Sequence, residues 1–446
     1  MHAAVTNSPE PRVAEPRVTE PLVAEPLVAE RFVECMSPEE RARAQRVQAI
    51  LPALREFASK GDAEGAFQPE NFETLKKSGL LGLIVPTRYG GLGGSLRDLC
   101  ATTYALASAC PSTALCFFFH CSSASRGLLA LEALEAGLFN DDEAPVVRRF
   151  AEKVLSKMGE GNLWLGNFAS ESAKSANSAI TITTTATPND GGWLLNGVKS
   201  FGCSTGVADE YLVTATLEGY DTAEGLVTFF VPRDADGVSA RAKWDAIGLR
   251  ATATDGLILK DVFIPEEDSL VIPGAFTRMM QMSRGSFVGN QIAGVAVYLG
   301  AAQSVYDYVC DFLTTQTFRD TGAPIGTSPM HQELVGRMTV DMETAYLWMA
   351  RQLALETSEP PLLPKDRVVM QWRMCKGETT EACFRVAQSA LKACGTSNTA
   401  NTGPIARAIR NLSMGLVQAF PAERGRLEVA KMVISGEGQN LFAVSH

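Results

Sequence analysis

The segment WLLNGVKSFGCSTGVADEYLV, residues 193–213, decides the fold. Apolar and polar residues alternate along WLLNGVK and again along EYLV, the period-two pattern of half-buried β-strands. A turn rich in Gly, Ser and Cys separates the two runs. Thr, Val and Ile remain frequent over residues 162–270, with turn signals at residues 188–192 and 234–237. We therefore predict an antiparallel β domain of short strands over residues 161–272.

Helical patterns flank this block on both sides. Ser37-Pro38-Glu39-Glu40 is a helix start, with Ser as N-cap, Pro at the first position and Glu at the third. A second short helix is predicted over residues 70–77. Helices, then strands, then helices favour separate domains over alternating βα units. We predict an N-terminal helical domain over residues 37–160 and a C-terminal helical bundle over residues 273–446.

The first 36 residues have a composition of their own. From Glu10 the sequence repeats every five residues, as EPRVA, EPRVT, EPLVA, EPLVA and ERFVE. Proline at this spacing forbids a regular helix and favours an extended chain. We predict a disordered tail over residues 1–36. A docking segment for a partner enzyme is the alternative.

Composition excludes several functional classes. A net charge of -10 argues against binding nucleic acid or an anionic membrane. The ten Cys form no CxxC pair and no export signal precedes them, which is typical of a reduced cytoplasmic protein. Two of the four His lie at the termini, so no metal site is predicted. Neither a GxGxxG turn nor a P-loop is present.

Five segments in order carry a resemblance to the acyl-CoA dehydrogenase superfamily, over about residues 37–412. It implies a mainly α protein with a central β-barrel domain between an N-terminal helical domain and a C-terminal four-helix bundle. The segments are PTRYGGLGGSLRDLC (86–100), the opening segment (193–213), GLRATATDGLILKDVFIP (248–265), LGAAQSVYDYV (299–309) and ALKACGTSNTANTGPIARAIRNL (390–412).

The resemblance also implies a flavin, FAD or alternatively FMN, in a slot between strand and turn. Phe168, Ala169 and Ser170 match the strand beneath the flavin. Phe201 stands where the family usually has Trp, and Cys203 where a Thr commonly faces flavin N5. The alternative is a buried strand and a glycine turn without a ligand.

Further matches place the dinucleotide end of the flavin on the C-terminal bundle. Phe318 matches an aromatic residue near the adenine of a neighbouring subunit, which implies a homotetramer or homodimer. Gly395 and Thr396 match a Gly-Gly pair that approaches the pyrophosphate. An Arg and a Gln of the family are replaced by Thr315 and Lys392.

The carboxylate base of the family's dehydrogenation is missing at both positions that the resemblance assigns to it. The usual position is Ala419 and the alternative one is Asn290, and neither side chain accepts a proton. Glu423 and Glu437 are the substitute candidates. The loop that handles the CoA arm reads SESAKSANS (170–178) and lacks the family's Gly and Asp residues, which favours a small or carrier-protein-bound substrate.

Loss of the base with the scaffold retained resembles the oxygen-using branch of the superfamily. That chemistry needs a dry pocket and a donor that holds the activated oxygen. His120, in FFFHCSS, is the first candidate donor, against the alternative of a core His bonded to a backbone carbonyl. Ser204 and Ser170 are further candidates. Oxidative decarboxylation is another reaction that needs no base.

Three functions therefore remain open. The favoured one is a flavin-dependent monooxygenase or oxidase of natural-product biosynthesis, supplied by a separate flavin reductase. The second is an α,β-dehydrogenase of acyl-CoA or acyl-carrier protein. The third is a non-catalytic binding protein on the same scaffold.

Overall fold

The computed structural model describes residues 26–172, 181–286 and 289–435. Nineteen helices and strands follow one another in this part of the chain. They are α1 (Pro38–Glu64), α2 (Pro69–Lys77), α3 (Leu96–Ala109), α4 (Pro111–Glu135), α5 (Ala144–Met158), β1 (Leu165–Phe168), β2 (Thr185–Asn189), β3 (Gly192–Lys199), β4 (Glu210–Leu217), β5 (Leu226–Pro232), β6 (Val238–Ala240), β7 (Leu257–Pro265), β8 (Ser269–Leu270), α6 (Ala275–Met280), α7 (Gln291–Thr315), α8 (Pro329–Thr357), α9 (Lys365–Cys394), α10 (Pro404–Ser413) and α11 (Ala422–Ser435).

The predicted helix start at Ser37 is confirmed. The Ser37 hydroxyl accepts a hydrogen bond from the Glu40 amide at 3.2 Å, and the Glu40 carboxylate accepts one from the Ser37 amide at 2.8 Å. The pair satisfies two amides that the first turn of α1 leaves free. The second helix begins at Pro69, one residue before the predicted start.

The prediction of a disordered tail is wrong for its last residues. Val28–Arg31 form a 3-10 turn, and Phe32 and Val33 are buried against the protein body. The Phe32 ring lies 5.6 Å from that of Tyr104. The last repeat carries Phe where the earlier ones carry Arg or Leu, and burial of this ring offsets the entropy lost on ordering the segment. Residues 1–25 lie outside the described part.

The strands form one eight-stranded sheet in the order β6-β7-β3-β2-β4-β5-β8, and β1 pairs with β4. Most neighbours are antiparallel, as predicted, but β4 runs parallel to both β1 and β2. The turn of residues 189–192 joins β2 to β3 with Gly191 at φ 73°. The strands β1 and β2 are separated in the sequence, but they lie in the same sheet and both pair with β4.

The helices pack against each other at close range. A Cβ on Gly300 of α7 would lie 2.1 Å from the Tyr104 carbonyl of α3, so only glycine permits this approach. Within the described residues, α4 is the helix long and apolar enough to cross a membrane, and 89% of its apolar window is buried inside the protein. It is the central core helix of the N-terminal domain.

Three motifs from distant parts of the chain meet at one junction. Arg250 donates from Nε to the Asp62 carbonyl at 2.8 Å, and Arg410 forms an ion pair with the Asp62 carboxylate. The Asn411 amide oxygen accepts a hydrogen bond from the Leu249 amide at 2.8 Å. The end of α1, the loop before β7 and α10 are thereby held together, which fixes the loop that supports the candidate site.

Candidate functional site

The turn that follows β3 is the centre of the candidate site. Its backbone is fixed by hydrogen bonds from the amides of Ser204 to the Thr252 carbonyl (3.0 Å) and of Thr205 to the Ala253 carbonyl (2.9 Å). The Cys203 thiol lies 3.2 Å from the Thr254 hydroxyl. The segments 193–213 and 248–265, recognised separately in the sequence, thus form one structural unit.

Side chains of this turn differ sharply in exposure. Phe201 is 51% exposed, whereas Cys203 and Ser204 are buried. Ser204 has φ 68°, in the left-handed region that a residue with a side chain rarely adopts. Its hydroxyl is buried beside the Cys116 thiol, and no nitrogen or oxygen atom among the described residues pairs with it. A strained, buried and unsatisfied hydroxyl is suited to bind a group that is not part of the protein.

The strand predicted to lie beneath a cofactor is brought directly to this turn. Phe168 is buried with its ring 4.8 Å from that of Tyr211, and a Cβ on Gly202 would lie 1.9 Å from the Phe168 ring. Ala169 is half-buried and Ser170 exposed. The Ser170 carbonyl accepts a hydrogen bond from the Ser200 amide at 3.1 Å. Residues 168–170 and 201–204 therefore lie next to each other, and together they form the rim of the candidate site.

A buried ion pair supports this rim. Lys199 donates from Nζ to Glu171 Oε1 at 2.6 Å, with side-chain exposures of 0% and 2%. Burial alone would raise the pKa of Glu171, but attraction to Lys199 and hydrogen bonds from Lys199, Thr183 and Thr184 outweigh it and lower that pKa to about 2. Glu171 is therefore ionised and joins residues 169–171 to β3 and to the start of β2.

The structure gives His120 the contacts of the alternative core role, with both ring nitrogens bonded to backbone groups. Nδ1 accepts a hydrogen bond from the Leu165 amide at 3.0 Å, and Nε2 donates to the Leu81 carbonyl at 2.8 Å. The ring is fully buried, which lowers the pKa of His120 to about 4 and keeps it neutral. Because both nitrogens are occupied by backbone groups, His120 has no free proton to donate. It positions β1 instead.

This arrangement predicts a pH-dependent stability. The pKa of His120 is about 4 in the folded chain, against an ordinary value of 6.5 for histidine, so its contribution to stability is complete above pH 6.5 and is lost as the pH falls toward 4. The unfolding free energy should drop by about 2–3 kcal/mol over this range on account of His120. Urea titrations from pH 7 to 4.5 measure the slope. The dependence of the unfolding free energy on pH should flatten in His120→Gln and persist in His331→Asn. Equal slopes in the two variants would contradict the assignment of this dependence to His120.

Neither of the two assigned base positions carries a proton acceptor, and the Glu423 side chain faces solvent. Asn290 is buried, with its amide 3.4 Å from the Ser122 hydroxyl, and Ala419 lies exposed in a left-handed turn. The Glu423 side chain is 76% exposed and pairs with Arg426 at 3.4 Å. A carboxylate so exposed to water is not held over a buried site, and the catalytic role of Glu423 stays a prediction. Glu437 lies outside the described residues.

The remaining predicted cofactor residues belong to the C-terminal bundle and not to the Cys203 turn. Phe318 is half-buried in the loop after α7. Gly395 ends α9 with φ 67° and open space on its Cβ side, and Thr396 is exposed. Their assignment to the dinucleotide end of a flavin remains a prediction.

One residue of the site was missed in the sequence. Arg126 is fully buried on α4 and donates from Nη2 to Asn167 Oδ1 at 2.9 Å, one residue before Phe168. Its Nε and Nη1 have no partner within the described ranges. The signal was present, since Arg126 carries the one formal charge between Cys110 and Leu131. A single Arg in an apolar core helix needs an explanation.

Comparisons with known proteins agree with this geometry. Family models for the N-terminal, middle and C-terminal domains of acyl-CoA dehydrogenase match residues 37–132, 167–262 and 292–420. The putative acyl-CoA dehydrogenase YdbM of Bacillus subtilis (strain 168) is 25% identical over 85% of this chain and 93% of its own. Dibenzothiophene monooxygenase of Rhodococcus qingshengii is 26% identical over 79% of this chain and 84% of its own.

A solved structure shares the fold. The protein KijD3, in complex with FMN and dTDP-3-amino-2,3,6-trideoxy-4-keto-3-methyl-D-glucose, has a TM-score of 0.76 and 22% identity over 94% of this chain and 99% of its own. The three domain models together cover most of the chain in the expected order. The chain belongs to the acyl-CoA dehydrogenase family.

Proposed function

We propose that this protein is a flavin-dependent monooxygenase or oxidase that acts on a small or carrier-bound substrate of a natural-product pathway. The observation that carries the proposal is the pair of base positions, Ala419 and Asn290, neither of which accepts a proton. Without a base, the α-proton of an acyl thioester stays in place and dehydrogenation does not begin. The likeness to a monooxygenase and to an FMN-bound protein supports the same conclusion.

The residues present fit a flavin. Phe201 offers a half-exposed aromatic face, and the buried Ser204 hydroxyl is an unused donor beside it. Backbone groups of residues 169–170 and the Cys203 turn would hold the ring system, while the open side of Gly395 suits a pyrophosphate. FAD is favoured, with FMN as the alternative. When bound, the flavin would supply two-electron redox chemistry and, once reduced, reactivity toward dioxygen.

The chain's own residues then have distinct tasks. Ser204 donates a hydrogen bond to the reacting oxygen, and its buried position strengthens that bond. The Cys203 thiol is bonded to Thr254, so it stabilises the turn instead of competing for the oxygen. Asn290, tied to Ser122, orients the substrate without removing a proton. Buried side chains around the turn exclude water, which limits unproductive loss of the oxygen.

Rapid mixing tests the proposal. The holoprotein is reduced anaerobically and mixed with oxygenated buffer in a stopped-flow spectrometer. We expect a transient absorbance band that neither oxidised nor reduced flavin has. Ser204→Ala should shorten its lifetime by about 10-fold or more, the effect of a lost hydrogen bond to a charged group. Ser108→Ala is the control, since its hydroxyl bonds the Ala105 carbonyl within α3.

Reoxidation in one featureless phase, together with bleaching of the flavin by acyl-CoA without oxygen, would overturn the proposal in favour of a dehydrogenase. We also propose a separate flavin reductase as electron donor and a homotetramer or homodimer as the assembly. Sedimentation of the holoprotein measures the assembly, and oxygen uptake with and without an added reductase measures the dependence on the donor.

A further inference from the structure

We propose that Arg126 forms an anion-binding subsite in the substrate pocket and that the substrate carries a carboxylate. This inference rests on the proposed function, because it assumes that the substrate binds beside the Cys203 turn. It adds the chemical class of the substrate and a specificity residue to that proposal.

The guanidinium of Arg126 is buried without a counterion. Its relative exposure is 0%, and two of its three nitrogens have no hydrogen-bond partner in the described part of the chain. The contacts that it has are the neutral amide of Asn167 and the ring of Phe276, 5.5 Å away. An uncompensated buried charge costs several kcal/mol. Such a cost is retained where a ligand supplies the missing charge.

Arg373 provides an internal comparison. It is equally buried, with a side-chain exposure of 1%, but forms an ion pair with Glu428. Burial lowers the pKa of both guanidinium groups to about 10, so the difference between them is the ion pair with Glu428. The internal segments 173–180 and 287–288 read AKSANSAI and FV, so they contain no acidic residue. Among the described residues, Arg126 therefore differs from Arg373 in having no acidic partner.

The neighbouring charges do not neutralise Arg126. Burial lowers the pKa of Lys199 to about 8, and the Arg126 charge adds to that lowering. Lys199 is already paired with Glu171. Two cations and one carboxylate leave a net charge of +1 in a buried region. One further anion would balance it.

The position of Arg126 points to substrate and not to the flavin. Ser122 precedes it by one helical turn on the same face of α4. The Ser122 hydroxyl contacts Asn290, which occupies one of the family's base positions. The Phe276 ring of α6 lies against the guanidinium and is its apolar neighbour. A carboxylate attached to an apolar body matches this set of groups.

The experiment uses holoprotein with oxidised flavin and no turnover. Acetate and benzoate are the probes, and acetamide and benzamide are their neutral counterparts. Binding is followed by the change in the flavin absorbance spectrum and by Tm. We expect the carboxylates, but not the amides, to perturb the spectrum and raise Tm. Arg126→Gln should weaken carboxylate binding by about 10-fold or more, and Arg126→Lys should restore part of it.

The affinity of each variant for flavin separates this role from others. Arg126→Gln is expected to bind flavin within about twofold of the parent and to keep or raise the Tm of the unliganded protein, because a costly buried charge is removed. Equal binding of benzoate and benzamide would overturn the proposal. So would a loss of flavin affinity or a fall in Tm with carboxylate binding unchanged, which would make Arg126 a cofactor anchor or a structural residue. The stopped-flow result for the parent protein is independent of all these outcomes.

Discussion

Replacing Lys199 by methionine is expected to lower the free energy of unfolding by about 3–5 kcal/mol, the usual cost of breaking a buried ion pair by removing one partner. Both side chains are inaccessible to water, so Glu171 would remain charged without its cation or would have to bind a proton. Glu171 also accepts hydrogen bonds from the amides of Thr183 and Thr184, at 2.6 and 3.0 Å. The loss should therefore loosen residues 169–171 and weaken flavin binding as well.

Urea unfolding at pH 7 measures the loss, and three comparisons interpret it. The double variant Glu171→Gln/Lys199→Met should lose less stability than Glu171→Gln and Lys199→Met lose in sum, because it leaves neither charge unpaired. Glu333→Gln, in the exposed pair with Arg337, should change stability by less than about 0.5 kcal/mol. A loss below about 1 kcal/mol for Lys199→Met would show that the pair does not support the rim.

The pH dependence of this pair has a defined sign. The pKa of Glu171 is about 2 in the folded chain, against an ordinary value of 4.5 for glutamate. Its contribution is therefore complete above pH 4.5 and is lost as the pH falls toward 2. Lys199→Met should remove that acid-dependent part of the stability, which lies below the range in which His120 acts. Urea titrations of Lys199→Met and His120→Gln at a series of pH values therefore separate the contributions of Glu171 and His120 to stability.

The sequence predicted the scaffold because its signals are local. Alternation within residues 193–213, the cap at Ser37 and the glycines of the turns act over a few residues, and the family motifs add their order. It also predicted that residues 168–170 meet the Cys203 turn, through the resemblance. The resemblance also predicted where the catalytic base would lie, and the sequence shows that Ala419 and Asn290 carry no carboxylate.

The contacts that the sequence did not show involve partners that are distant in the chain. His120 was given a free proton, but its partners Leu81 and Leu165 are 39 and 45 residues away. Glu423 was judged by spacing, whereas its exposure depends on how α11 packs against α9. The importance of Arg126 depends on what is absent around it, and a sequence does not show that. The tail was misjudged at Phe32, because a repeat pattern hides a single aromatic substitution.

Replacing Gly202 by alanine is the most direct test of the rim itself, and it should cost about 2–3 kcal/mol. The added methyl would lie 1.9 Å from Cε1 and 2.0 Å from Cδ1 of Phe168. That ring has 1% exposure and packs edge-on against Tyr211, so it has no room to move aside. The turn of residues 201–204 must shift instead. Affinity for FAD and FMN, measured by fluorescence titration, should fall along with the Tm.

A second substitution distinguishes this steric cause from a general effect of alanine. Leucine at position 168 lacks the ring edge that the new methyl meets, so Gly202→Ala/Phe168→Leu should exceed the additive expectation by about 1–2 kcal/mol and recover flavin binding. Gly336→Ala adds the same methyl within α8 where nothing lies within 4 Å, and it should stabilise by about 0.5–1 kcal/mol. If Gly202→Ala binds flavin as the parent does, residues 168 and 202 do not form the floor of the flavin site. The cofactor would then have to be sought on another face of the sheet.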